Sequence, residues 1–195
     1  MNNPAKRPRV LVTGGTGYVG GRLIRRLLER DVDIRVLVRD LERARGRAWP
    51  DRVELVQGDL LEPETLGTAF EGADVAYYLV HSMYAGEDFA EKDRQAARNF
   101  VAAGRDHLRH VVYLGGILPD GDAGGPASEH LGSRAEVGRI LREGLPTTEF
   151  RAGPVIGSGS ASFEMVRYLT ERLPAMVAPR WILNDVQPVS MRDVL

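Results

Sequence analysis

The run Thr13-Gly14-Gly15-Thr16-Gly17-Tyr18-Val19-Gly20 spaces glycines at three-residue intervals, at Gly14, Gly17 and Gly20. It follows the apolar run Val10-Leu11-Val12 and opens a stretch, Tyr18 to Arg30, in which Val19, Leu23, Ile24, Leu27 and Leu28 recur at helical spacing. A strand, a tight turn and an amphipathic helix in that order make a receptacle for an anion. Gly14 permits the turn, Gly17 lets the backbone approach a pyrophosphate, and Gly20 lets the helix pack on the sheet. Thr16, Tyr18 and Val19 complete the turn and the helix start that would meet a dinucleotide.

The end of the next strand selects between cofactors. An acid there suits a ribose hydroxyl and an arginine suits a 2′-phosphate. The sequence offers both, in Val38-Arg39-Asp40. A guanidinium directly after the strand pairs naturally with phosphate, which favours NADP over NAD; the alternative leaves Arg39 solvated and Asp40 capping the following helix. His81, at another strand end beside Ser82 and Tyr84, is the best-placed ionisable group for a role at the substrate or nicotinamide. His107 and His110 lie at a helix-to-strand junction and receive no role. No pair of histidines four apart and no His-Glu helix motif is present, so no metal is expected.

The elements that must hold these residues alternate along the chain. Strands are expected at Val10–Val12, Ile34–Val38, Val53–Gln57, Asp74–Val80, Val111–Leu114 and Thr147–Arg151. Helices are expected at Tyr18–Arg30, Leu41–Arg47, Pro63–Phe70, Phe89–Gly104 and Ser128–Glu143. Near-continuous apolar strands separated by helices indicate a parallel sheet covered on both faces. The expected fold is therefore α/β, a doubly wound parallel sheet (Rossmann fold) with strand order 3-2-1-4-5-6. Residues 1–155 form the dinucleotide-binding domain and 156–195 begin a substrate-side segment, with a helix from Phe163 to Leu173 and a helix start in the last residues. A glycine-rich loop, Pro119 to Pro126, and a short disordered lead before the first strand complete the reading.

Composition narrows the class. The 195 residues carry 26 Lys+Arg, 27 Asp+Glu and no cysteine, which excludes disulfide scaffolds and thiolate metal or nucleophile chemistry. Residues 1–50 hold 12 basic and 5 acidic side chains and residues 51–100 hold 4 and 11. The arginines fall on helix faces opposite apolar stripes, as solvated residues do, and not in a basic face interleaved with aromatics, so no nucleic-acid partner is expected. No apolar run approaches the roughly 20 residues of a membrane span, no signal peptide opens the chain, and a reducing cytoplasm fits.

Thr13 to Gly20, Leu37-Val38-Arg39-Asp40, Gly58-Asp59-Leu60, Tyr77 to Met83, Val112 to Gly116 and Phe150 to Gly153 together resemble the atypical short-chain dehydrogenases, in the NmrA-like and extended epimerase/dehydratase-related branch. The resemblance implies that Asp59 and Leu60 cover the adenine, that Leu79, Val80 and His81 lie along the ribose and nicotinamide, and that Arg151 to Pro154 approach the nicotinamide end. Asp59 has an alternative as a cap before Pro63. The resemblance also implies a longer protein, of which this chain is a fragment. Members carry a Tyr-x-x-x-Lys pair with a serine at the preceding strand end. Here the corresponding stretch reads His130-Leu131-Gly132-Ser133-Arg134, and the strand ends in Gly115-Gly116. His130 thus becomes a candidate proton donor and Ser133 or Arg134 a candidate cofactor contact.

Two functions follow. One is an NADP-dependent oxidoreductase that transfers hydride to or from a small carbonyl or quinone-like substrate without the usual pair. The other is a dinucleotide-binding redox sensor without turnover. Epimerase or dehydratase chemistry on a nucleotide sugar ranks lower, because it too relies on the absent pair.

Overall fold

The computed structural model describes residues 7–47, 49–81, 88–118, 128–172 and 185–195. The expected loop at Pro119–Pro126, most of the N-terminal lead, and Ser82 and Tyr84 lie outside the described residues.

β1 (Arg9–Thr13) leads through the glycine turn into α1 (Tyr18–Leu27), β2 (Asp33–Val38), α2 (Leu41–Arg45) and β3 (Val53–Gln57). A 3₁₀ turn (Pro63–Thr65), α3 (Gly67–Phe70), β4 (Val75–Tyr78), α4 (Phe89–Gly104), β5 (His110–Gly116), α5 (Glu129–Gly144) and β6 (Thr147–Ala152) follow. The strands form one sheet of order β3-β2-β1-β4-β5-β6, the doubly wound arrangement. Every pairing among the first five is parallel, with Val12 opposite both Val36 and Tyr77. Val111 N–H donates to Pro146 O at 2.8 Å at the foot of β6.

The chain divides into two compact units, Met1–Phe150 and Arg151–Leu195. In the second, β7 (Val155–Ile156) and β8 (Val189–Ser190) pair in parallel, and α6 (Ala161–Arg172) and α7 (Met191–Val194) complete it. This small parallel pair has no counterpart in the periodicity, since two-residue strands are too short to show one.

Burial explains the strands. Leu11, Val12 and Val36 are inaccessible to solvent, as residues covered on both faces must be. One face packs an aromatic nucleus in which Phe70 and Tyr78 each meet Phe100 edge-on, at 5.1 and 5.0 Å between centroids, with Tyr113 at 5.9 Å from Tyr78. Arg35 is the charged exception inside β2. Glu54 pairs with it at 2.9 and 3.0 Å, and its Nη1 donates to the carbonyls of Thr68, Ala69 and Glu71.

Most element ends fall within two residues of expectation, and three differences have a visible cause. α1 ends at Leu27 because the next residues close three-residue turns, Glu29 N–H to Arg26 O and Arg30 N–H to Leu27 O, and beyond Leu28 the residues Glu29 to Asp31 offer no apolar side chain to bury. The expected helix Pro63–Phe70 splits at Leu66, where Thr65 Oγ1 accepts from Asp59 N at 2.9 Å and donates to Glu62 O at 2.7 Å. β4 stops at Tyr78 and not at Val80, because Leu79 N–H leaves the ladder for Thr13 Oγ1 at 3.4 Å.

Candidate functional site

The strand order reverses at β1, between β2 and β4, and a doubly wound sheet opens its ligand crevice at such a point. The glycine turn occupies it. Gly14 has φ +73°, and a Cβ there would stand 2.6 Å from Leu79 O. A Cβ on Gly20 would stand 2.4 Å from Gly14 O. These two glycines are demanded by the protein's own packing. Gly17 is different: its φ of −77° suits any residue, and a Cβ there would meet one atom, Gly14 O at 3.1 Å. Its missing side chain faces outward, at the start of a helix with no side-chain cap and no acid in its first turn. That is the cradle a pyrophosphate fits.

Around the turn, Thr16 contributes its carbonyl, to which Arg47 Nη2 donates. The Arg22 guanidinium lies 3.9 Å from the Tyr18 ring centroid and Arg22 Nη1 donates to Tyr18 O at 3.1 Å. The Tyr18 hydroxyl is buried with no hydrogen-bond partner among the described residues. Val19 is half-buried. Arg47 was missed by sequence reasoning; it lies in an arginine-rich segment whose members look alike until the loop after α2 is folded over the turn.

At the end of β2, Arg39 is exposed, with its carbonyl accepting from Gln57 Nε2 at 3.2 Å. Asp40 caps α2, accepting from Arg43 N at 2.9 Å. Asp59 likewise serves its own loop, accepting from Leu61 N at 3.0 Å. Leu60 is in the core, and its carbonyl accepts from Asn99 Nδ2 at 2.7 Å. Leu79 lines the glycine turn and Val80 packs on the core.

His81 and His130 come together. Their ring centroids are 6.1 Å apart and nearly perpendicular, and Phe89 stands 6.4 Å from His130. The chain separation of 49 residues between the two is closed by β5 and the packing of α5 on α4. Arg134 lies a turn beyond His130, its Nη2 donating to Leu114 O while Tyr113 OH donates to Arg134 O at 2.9 Å. Both imidazoles are held below the ordinary histidine value. Desolvation by surrounding protein is the main cause at each, even though His81 keeps solvent access, and the Arg134 cation adds to it. For Tyr78, complete burial, with Asp93 adding to it, raises the phenol beyond any working pH.

A serine at the end of β5 would require the Glu149 side chain to swing aside, because a Cβ at Gly115 would stand 2.5 Å from Glu149 Oε1. Glu149 in turn pairs with Arg142. Gly116 faces Leu131 and Arg134, with its Cβ position 2.8 Å from Leu131 Cδ2 and 3.5 Å from Arg134 Nε. Arg151 to Pro154 fall in the second unit. His110 is occupied away from this edge, its Nε2 lying 2.9 Å from Thr148 Oγ1. Among the described residues no cluster could hold a metal ion, and no helix is long and apolar enough to cross a membrane.

A doubly wound sheet with a glycine turn at its switch point defines the class, a Rossmann-type nucleotide-binding domain. The chain belongs to the NmrA-like family, which it matches over residues 6–165. It is 40% identical to an NAD(P)H azoreductase of Xenophilus azovorans, over 74% of this chain and 47% of the relative. Among solved structures, the triphenylmethane reductase of Citrobacter sp. complexed with NADP(H) is 27% identical with TM-score 0.65, over 84% of this chain and 55% of the other. The Bordetella bronchiseptica enzyme WbmG, in complex with NAD and UDP, shares the fold at TM-score 0.78 and 16% identity, over all of this chain and 68% of its own. The chain spans less than half the length of the curated relatives it matches.

Proposed function

We propose that this chain is the NADP(H)-binding portion of a reductase that transfers hydride to a small carbonyl or quinone-like acceptor, with imidazole in place of the usual proton donor. The observation that carries the reading is Gly17, a glycine that the protein's own conformation does not need, facing outward beside an uncapped helix start at the switch point. Family membership and the NAD(P)H azoreductase and NADP(H)-bound triphenylmethane reductase among its relatives support it. Gly14, Thr16, Tyr18, Val19 and Gly20 shape the pyrophosphate cradle, Arg39 receives the 2′-phosphate, and Asp40, Asp59 and Leu60 border the adenosine side. Leu79, Val80, His81 and Arg134 border the nicotinamide side.

When bound, the dinucleotide supplies the hydride that adds to the acceptor carbon. The acceptor oxygen takes the displaced π electrons and needs one proton. His81 or His130 in its imidazolium form donates it, and solvent reprotonates the ring. Arg134 fixes the start of α5 against β5 and places a permanent cation beside both rings, which makes each imidazolium a stronger acid.

A second reading, a dinucleotide-binding redox sensor without turnover, is favoured by one specific observation: the Glu149 carboxylate takes the space of a strand-end serine at Gly115. Anaerobic titration with NADPH and NADH, followed by a panel of aldehydes, ketones, quinones and azo compounds on the chain as part of its full-length protein, decides. Turnover that falls at least about a hundredfold in His81→Gln or His130→Gln, with NADPH affinity kept within a few-fold, supports the reductase. Tight binding without turnover across the panel supports the sensor, and no binding of either dinucleotide overturns both.

A further inference from the structure

α4 buries Ala96, Ala97, Phe100, Val101 and Gly104 together with Asn99, and Asp93 sits inside that stripe. It is 4% exposed. A charge in the middle of an apolar helix face is costly unless it is hydrogen-bonded and has a partner charge to serve. Ser133 Oγ, itself 3% exposed, donates to Asp93 Oδ2 at 3.1 Å. Ser133 stands three residues after His130 and directly before Arg134, so this one bond ties α4 to the turn of α5 that carries both. Phe89, a turn earlier on α4, faces His130.

The charged and titratable groups around the histidine pair come from every neighbouring element. α5 brings Arg134, α4 brings Asp93, and β4 and β5 bring the buried phenols of Tyr78 and Tyr113. Farther out, Arg94 of α4 pairs with Glu136 of α5 at 2.6 Å. Desolvation first and then Arg134 oppose protonation of either ring; at His81 a backbone hydrogen bond favours it, and Asp93 is the charged group that favours it at both.

We infer that Asp93 is a positioning residue for the His81–His130 pair: through Ser133 it fixes the first turns of α5, and its buried negative charge offsets Arg134 so that the imidazoles can hold a proton. The inference rests on the reductase reading only for the use to which that proton is put.

The test is a proton NMR titration of the histidine Cε1–H signals in the full-length protein, native and Asp93→Asn, with His107 and His110 as internal references. In the variant the His81 and His130 midpoints should fall, because the one carboxylate that favours both protonated rings is gone, while His107 and His110 stay in place. Asp93→Glu, which keeps the charge, should restore the midpoints. Unmoved midpoints in a folded Asp93→Asn overturn the inference, and midpoints that move there but are not restored in a folded Asp93→Glu overturn the charge role. If Asp93→Asn does not fold, the Asp93 carboxyl carbon of the native protein gives the answer. It should show an inflection at the histidine midpoints, and a flat response there overturns the inference. NADPH titration of the same samples separates the two claims. Shifted midpoints without NADPH binding remove the reductase reading and leave Asp93 in its role, whereas NADPH binding with unmoved midpoints removes Asp93 alone.

Discussion

Gly17→Ala and Gly20→Ala should behave as opposites, although each adds one methyl group to the same turn. At Gly20 the new Cβ would lie 2.4 Å from Gly14 O and 2.8 Å from Gly15 Cα. Both are backbone atoms of a turn locked by the positive φ of Gly14, so relief requires moving α1 away from the sheet. Overpacking of this kind costs about 1 to 3 kcal/mol, or a drop of roughly 2 to 12 °C in Tm for a domain of this size. At Gly17 the same methyl meets Gly14 O alone, at 3.1 Å, which a shift of a few tenths of an ångström relieves. Restricting the unfolded chain returns about 0.4 to 1 kcal/mol where the backbone conformation is allowed, so the two effects nearly cancel. The methyl instead occupies the outward space assigned to the pyrophosphate, and NADPH affinity should fall at least about tenfold, or 1.4 kcal/mol. Circular-dichroism melts give the stability, and calorimetry together with the NADPH-induced rise in Tm gives the binding. Unchanged NADPH affinity in Gly17→Ala would sink the cradle, and a Tm loss as large as that of Gly20→Ala would show that Gly17 serves the fold after all.

Arg39→Ala should weaken NADPH by about 1.5 kcal/mol or more and leave NADH nearly unchanged, as expected for a charge-assisted bond to the 2′-phosphate; equal losses in calorimetry mean that Arg39 does not meet that phosphate. Reduction should fall as pH rises through a midpoint below 6.5, because both imidazoles are lowered and only the protonated ring donates; a kcat profile rising toward alkaline pH refutes imidazole as donor. The same shifts carry a stability consequence: the folded state binds these protons less readily than the unfolded one, so stability gained above the ordinary histidine value is lost as pH falls through the window beneath it. Urea titrations at stepped pH measure the slope. Arg35→Met should cost about 3 kcal/mol or more in urea midpoint, since it leaves the Thr68, Ala69 and Glu71 carbonyls without their donor; a change under 1 kcal/mol means that water replaces the guanidinium there.

The sheet was legible in the sequence because its signals are local. Apolar runs such as Val10–Val12 and Ile34–Val38, separated by helices of 3.6-residue period, leave few topologies once crossovers are right-handed. The glycine turn was equally plain, since its spacing is read within eight residues. Asp93 was legible in principle, as a charge inside the α4 stripe, but periodicity names only the face and not what lies across from it. Asp40 and Asp59 show the reverse: their types suit a ribose, and the folded chain shows each also holding a backbone N–H of its own loop, at 2.9 and 3.0 Å.

By itself the sequence determined the order of the sheet, the place of the crevice and the residue types along its rim. The residue types and the turn are read within one strand–helix unit, and the order follows from the succession of such units with right-handed crossovers. Only the tertiary structure decided which of those residues meet: His81 with His130 across 49 positions, Asp93 with Ser133 across 40, Arg47 with Thr16 across 31, and the Glu149 carboxylate in the space beside Gly115. These meetings depend on how α4 and α5 pack over β4 and β5 and how the loop after α2 folds back. Spacing along a chain carries no record of that packing, because side chains distant in sequence are brought together by buried area summed over the whole core, and not by any local preference of their own.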